Sequence, residues 1–167
     1  MVKKFKALLK NNRGLTLIEL LAVIVILGII AAIAVPSIGN IIDNSKRDAH
    51  IANAEQMVSA ARLAKAANVM SADGDSDATN DVVGTYTMKG LVKEGFLENV
   101  PEAPGNAGAY VEASSKVVVS EETSSNKDVY TVSLDSEDKD YYIKEKTISD
   151  LRADGGRDEV KLDGSAK

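Results

Sequence analysis

The chain has 167 residues, no cysteine, one histidine and a formal net charge of −5 at pH 7. Without cysteine it has no disulfide, no thiol nucleophile and no Cys-based metal site, and its acidic balance excludes bulk electrostatic binding of nucleic acid, which needs a basic face. The length suits one small globular domain plus an anchor and is too short for two sizeable cores.

Residues 1–14 read as a short basic leader. Its cations, Lys3, Lys4, Lys6, Lys10 and Arg13, meet no acid, so the rest of the chain carries −10. From Leu15 to Val35 run 21 residues whose only charge is Glu19. As a helix they reach about 31 Å, the thickness of a bilayer's hydrocarbon core, and the preceding cations keep the start in the cytoplasm and the bulk outside. Glu19 is the anomaly, because a carboxylate at mid-span costs up to about 2.5–3.5 kcal/mol and normally has a partner. No Lys or Arg lies between Leu15 and Ser45. Cutting the Gly14–Leu15 bond would supply the missing cation as a new α-amino group, and a neighbouring subunit shifted along the axis could set its amine against this Glu19. Another reading of the same stretch is a secretory signal peptide cut after Ala34, on the pattern Ala32-Ile33-Ala34. Against it stand Glu19, the length of the apolar run and a helical pattern that continues past the cut.

Arg13-Gly14 followed by Leu15-Thr16-Leu17-Ile18-Glu19 resembles the type IV prepilin cleavage motif. Gly28 and Pro36 fall where pilins of this family have their helix-weakening glycine and proline, and both residues disfavour helix on physical grounds. Leu15 departs from the commonest first mature residue, phenylalanine. The resemblance implies cleavage after Gly14, N-methylation at Leu15 and subunit assembly through Glu19. It also implies an integral-membrane prepilin peptidase that methylates the new amine, a pilus assembly ATPase and a membrane platform protein as partners. Many Gram-negative pilins close their C-terminal region with a disulfide, so the absence of cysteine favours a Gram-positive major pilin.

Beyond Pro36 the apolar spacing predicts helix to about Met70, through Ile38, Ile41, Ile42, Ser45, Ala49 and Ala52, then Ala54, Met57, Val58, Ala61 and Ala64. Asp43, Lys46, Arg47, Asp48, Glu55, Arg62 and Lys65 make this half amphipathic. His50, with no Cys or second His as companion, reads as solvated or as a subunit contact. Gly74 offers a helix stop. Asp73, Asp75, Asp77 and Asp81 echo a calcium loop, but Ala78 and Gly84 stand where that loop wants glycine and glutamate, so the stretch reads as a solvated acidic loop. Thr87–Gly95 predicts a short helix capped by Thr87, with Met88, Leu91 and Val92 inward and Phe96-Leu97 as its anchor. Val100–Gly105 is a rigid connector.

The remainder predicts a strand meander over Ala109–Glu112, Lys116–Ser120, Val129–Leu134 and Tyr141–Lys144, the last with Tyr141 and Ile143 alternating with Tyr142 and Lys144, and with polar loops at Glu121–Lys127 and Asp135–Lys139. The tail from Asp150 is weakly patterned and reads as lying loosely on the surface. There is no nucleophile–base set and no phosphate- or dinucleotide-binding glycine loop, so the chain reads as a substrate of enzymes and not as an enzyme, without cofactor.

The expected fold is α+β, the pilin lollipop: a long N-terminal helix, its first half membrane-spanning, packed on a small antiparallel sheet. The expected divisions are the leader (1–14), a transmembrane and polymerisation helix (15–36), its amphipathic continuation (37–70), a connecting region with a short helix (71–108), the sheet (109–149) and a C-terminal tail (150–167). The expected function is a subunit of a helical homo-oligomeric type IV pilus, held in the cytoplasmic membrane as precursor and displayed on the cell surface, serving adhesion, motility or DNA uptake. The alternatives are a pseudopilin of a type II secretion or competence system and, outside the family, a surface-anchored or signal-peptide-cleaved binding module.

Overall fold

The computed structural model describes residues 16–69, 82–104, 108–122, 127–138, 140–163, 165 and 166. In chain order its elements are α1 (Leu17–Ala66), β1 (Val82–Thr87), α2 (Met88–Lys93), β2 (Lys116–Glu122), β3 (Lys127–Asp135), β4 (Tyr141–Thr147), α3 (Ile148–Arg152) and a 3-10 turn (Gly156–Glu159). The fold is α+β, a long N-terminal helix and an antiparallel four-stranded sheet of order β1-β2-β3-β4. The chain divides after Ile41 into two units.

In the first unit no described residue covers the large apolar side chains of α1. Leu20, Ile24, Leu27, Ile30 and Ile38 are each more than half exposed, and the most apolar window has a mean hydropathy of 3.0 with none of it buried. α1 is long and apolar enough to cross a membrane. It runs through Gly28 and Pro36 without interruption. Pro36 has no N–H to give the carbonyl one turn back, so the helix is weakened there while remaining helical.

In the second unit α1 changes character, and Ile51, Ala54, Met57, Val58, Ala61 and Ala64 are buried. They share one core with Val117 and Val119 of β2, Val132 and Leu134 of β3 and Ile143 of β4. Each fully buried Val, Leu or Ile contributes about 1.5–3 kcal/mol relative to exposure. The helix stops at Ala66, a turn earlier than its apolar spacing suggests. Asn68, at φ 54°, takes the left-handed position, and the N–H groups of Asn68 and Val69 bond the carbonyls of Lys65 and Ala64. Gly74 and the candidate calcium aspartates Asp73, Asp75, Asp77 and Asp81 lie outside the described residues.

β1 is a strand within the stretch read as connecting region; the mixed run Val82-Val83-Gly84-Thr85-Tyr86-Thr87 carries a register shift between Val82 and Gly84 that blurs its alternation. α2 follows the reading closely. Thr87 accepts a hydrogen bond from the N–H of Gly90 at 3.1 Å, Met88 and Leu91 are buried, and Gly95, at φ 79°, closes the helix with bonds from Gly95 and Phe96 to the carbonyls of Val92 and Leu91. Of Ala109–Glu112, only Tyr110 enters a ladder, as an isolated bridge to Ser136.

Three sequence readings are corrected here. His50 is not solvated: it is fully buried, with Nδ1 2.6 Å from the Tyr110 hydroxyl and its ring 4.3 Å from that of Tyr142. The single polar residue on an alanine-rich face is inside because two tyrosines from the sheet side enclose it. In β4, Tyr142 and Ile143 do not alternate; both are fully buried. Leu134 pairs with Ile143 and Asp135 with Tyr141, which leaves Tyr142 as the extra residue of a bulge. The C-terminal tail is not loose. Thr147 and Asp150 form a capping box that starts α3, Leu151 and Val160 are buried in the core, and the N–H groups of Lys161 and Ala166 bond the carbonyls of Tyr142 and Tyr141 at 2.9 Å.

Gly156 fits only because it lacks a side chain, since a Cβ there would lie 2.1 Å from the Asp150 carbonyl oxygen. Gly156→Ala is therefore expected to cost about 1–3 kcal/mol, the range for forced overpacking, seen as a lower urea midpoint at unchanged slope. Glu145, the non-glycine residue of β4 at φ 49°, gives the opposite expectation. Glu145→Gly relieves a left-handed conformation that costs an L-residue about 1–2 kcal/mol, so its midpoint should equal or exceed that of the parent chain, where an ordinary strand position would lose stability.

Candidate processing and assembly site

The start of α1 is built by four consecutive residues, Thr16-Leu17-Ile18-Glu19. A helix begins with free N–H groups that need acceptors, and here the chain supplies its own. The Thr16 hydroxyl accepts from the Glu19 N–H at 3.3 Å. The Glu19 carboxylate in turn accepts from the Thr16 N–H at 2.8 Å and from the Thr16 hydroxyl at 2.7 Å. This is a reciprocal capping box, placed where the helix dipole favours negative charge. The pattern Thr-x-x-Glu before an apolar run is a sequence signature of such a cap, here overlaid by the unpaired charge of Glu19 in an apolar stretch. Thr16 is the capping residue of the candidate site that the sequence reading did not single out.

The other candidate residues divide into two groups. Gly14 and Leu15 lie outside the described residues. Gly28 and Pro36 both sit on the bare stretch of α1, and a Cβ at Gly28 would meet nothing within 4 Å. No packing among the described residues therefore demands glycine at position 28. The side chains from Leu17 to Ile33 are exposed, and no second element of the described structure approaches them in the unit to which they belong.

Chemically, the arrangement is a carboxylate held at the end of an uncovered apolar rod. It can accept hydrogen bonds or pair with an amine. No group of three or more potential metal ligands occurs among the described residues. The described grooves lie elsewhere: one of about 510 Å³ is lined by Arg62, Tyr130 and Ser149 among others, and one of about 450 Å³ by Asn44, Asp48 and Arg157 among others.

Residues 9–35 match the family model described as the prokaryotic N-terminal methylation motif. No curated protein and no solved structure matches the chain. The matched stretch contains the Gly14–Leu15 junction, Thr16, Glu19, Gly28 and the apolar run up to Val35, and with the exposed apolar helix it is consistent with a membrane-anchored precursor of the pilin or pseudopilin type. Residues 9–35 of this chain are a prokaryotic N-terminal methylation motif, the class III signal peptide of type IV pilins.

Proposed function

We propose that the chain is a structural, non-enzymatic subunit of a type IV pilus: inserted in the membrane as a precursor, cut after Gly14 by a prepilin peptidase, methylated at Leu15 and polymerised through the first half of α1. The observation that carries this reading is the uncovered apolar stretch of α1 opened by the Thr16–Glu19 capping box. In a bilayer, lipid covers that surface as well as another helix would, so the stretch gives little preference for one neighbour over another. Outside the bilayer the same surface must be buried against other subunits, and at about 25 cal/mol per Å² this burial dominates filament stability.

Glu19 then selects register. In the single chain its carboxylate is satisfied by Thr16. In the filament it also meets the new amine of Leu15 on an adjacent subunit, which neutralises both charges in a setting where an unpaired one is costly. An assembly ATPase and a membrane platform protein supply the work of extraction.

The residues act at separable steps. Replacing Gly14 by valine should leave a full-length precursor in the membrane, read by immunoblot of membrane fractions; normal maturation would place the cut elsewhere. Glu19→Ala should be cleaved and inserted normally yet be nearly absent from sheared filaments, while Glu19→Asp should be partly competent. Normal filament yield from Glu19→Ala would remove the register role, and an uncleaved Glu19→Ala would assign the residue to the peptidase instead. Thr16→Ala removes the hydroxyl of the cap together with its methyl group, a loss of about 1 kcal/mol, and should lower filament yield without abolishing it.

A further inference from the structure

The only histidine of the chain sits in the core of the second unit, where filament assembly through the apolar stretch makes no use of it. Its Nδ1 lies 2.6 Å from the Tyr110 hydroxyl. Its ring stacks at 4.3 Å and 32° on Tyr142 and meets Tyr110 edge-on at 5.6 Å. Tyr110 and Tyr142 also meet edge-on, at 5.6 Å. Each ring is tied to a different part of the fold. Asn53 of α1 donates to the Tyr110 hydroxyl at 3.1 Å and to the Glu102 carbonyl at 3.0 Å, while the Tyr142 hydroxyl of β4 donates to the Gly108 carbonyl at 2.6 Å. One imidazole thus joins α1, the segment before β2 and the bulge of β4.

We propose that the His50–Tyr110–Tyr142 cluster is an acid-sensitive latch that holds the second half of α1 on the sheet at neutral pH and releases it when His50 is protonated. The neutral ring has one donor and one acceptor nitrogen; Tyr110 partners Nδ1, and Nε2 stays unpaired among the described residues in either tautomer, a cost borne without net charge. An imidazolium carries two N–H donors, and its Nε2 is buried with no protein acceptor among the described residues. The groups that face the ring offer no compensation. From the segment before β2 comes the Tyr110 phenol and from β4 the Tyr142 phenol. On α1 itself, one turn earlier, Arg47 has its Nε buried and its head paired with Asp158 of the 3-10 turn at 2.9 Å. Asp48, on the outer side, is paired with Arg157 at 2.7 Å. Phenols are neutral in acid and the guanidinium is positive, so none of these groups compensates an imidazolium, and no carboxylate among the described residues is bonded to the ring.

Burial accordingly depresses His50 from its ordinary 6.5 to about 4. A base depressed by folding leaves the unfolded chain binding more protons, so stability is fully present above pH 6.5 and is lost as pH falls toward 4. Between pH 7 and pH 5 the unfolding equilibrium should move by on the order of twentyfold from this group alone.

A single histidine makes the test direct. In the full chain in detergent micelles, with histidine ¹³C-labelled at Cε1, the one ring signal should stay in its neutral position down to pH 5 while the chain is folded. Urea unfolding at pH 7 and pH 5 should show the loss in the parent chain and less than about threefold change in His50→Phe, which keeps a ring against Tyr142 and leaves Asn53 to bond Tyr110. His50→Asn serves the same comparison should the Phe variant fail to fold. A ring signal that titrates near 6.5 in the folded chain, or a variant that keeps the parent's full acid loss, overturns the latch.

Discussion

One helix has to satisfy two surroundings, and the rest of the structure follows from where it changes. Up to Ile42 the large apolar side chains of α1 stand without protein cover, which is tolerable only in lipid or against other copies of such a helix. From His50 onward an alanine- and methionine-containing face is buried against the sheet. Small alanines at positions 54, 61 and 64 let the sheet's valines and leucine approach the helix closely. Between these stretches, Lys46, Arg47 and Asp48 set the limit beyond which α1 cannot lie in hydrocarbon.

In the second unit the C-terminal segment is held against α1. α3 and the 3-10 turn set three ion pairs against α1: Arg47–Asp158 at 2.9 Å, Asp48–Arg157 at 2.7 Å and Glu55–Arg152 at 2.7 Å. The hydrogen bond from Arg152 holds the Glu55 carboxyl below its ordinary range. Such partly exposed pairs contribute little each, and the strength of the closure comes from Leu151 and Val160 in the core. The pairs fix where the segment lies. By bonding the carbonyls of Tyr141 and Tyr142 it also covers the outer edge of β4, which would otherwise offer free ladder groups.

What was legible in the sequence had a period or a punctuation mark. The apolar run from Leu17, the amphipathic continuation, and Thr87 and Gly95 around α2 each follow a rule with one local cause. What was not legible depends on contacts distant in sequence. The Tyr142 bulge defeats alternation because two residues of β4 share one place in the ladder. His50 is buried by tyrosines 60 residues or more away. α3, at five residues, is too short to display helical periodicity, and its capping box at Thr147 and Asp150 was passed over like that at Thr16 and Glu19. At the candidate site, the carboxylate and the apolar stretch were visible from the start; the bond network that already occupies the carboxylate was not.

Polymerisation through the first half of α1, as proposed, requires the working subunit to start at the Gly14–Leu15 junction and to retain everything from Leu15 to Val35. Intact mass spectrometry of filaments sheared from the cell surface measures this directly. The expected mass is that of a chain beginning at Leu15 with one added methyl group. A surface form beginning at Val35, or sheared filaments that do not contain the protein, would contradict it.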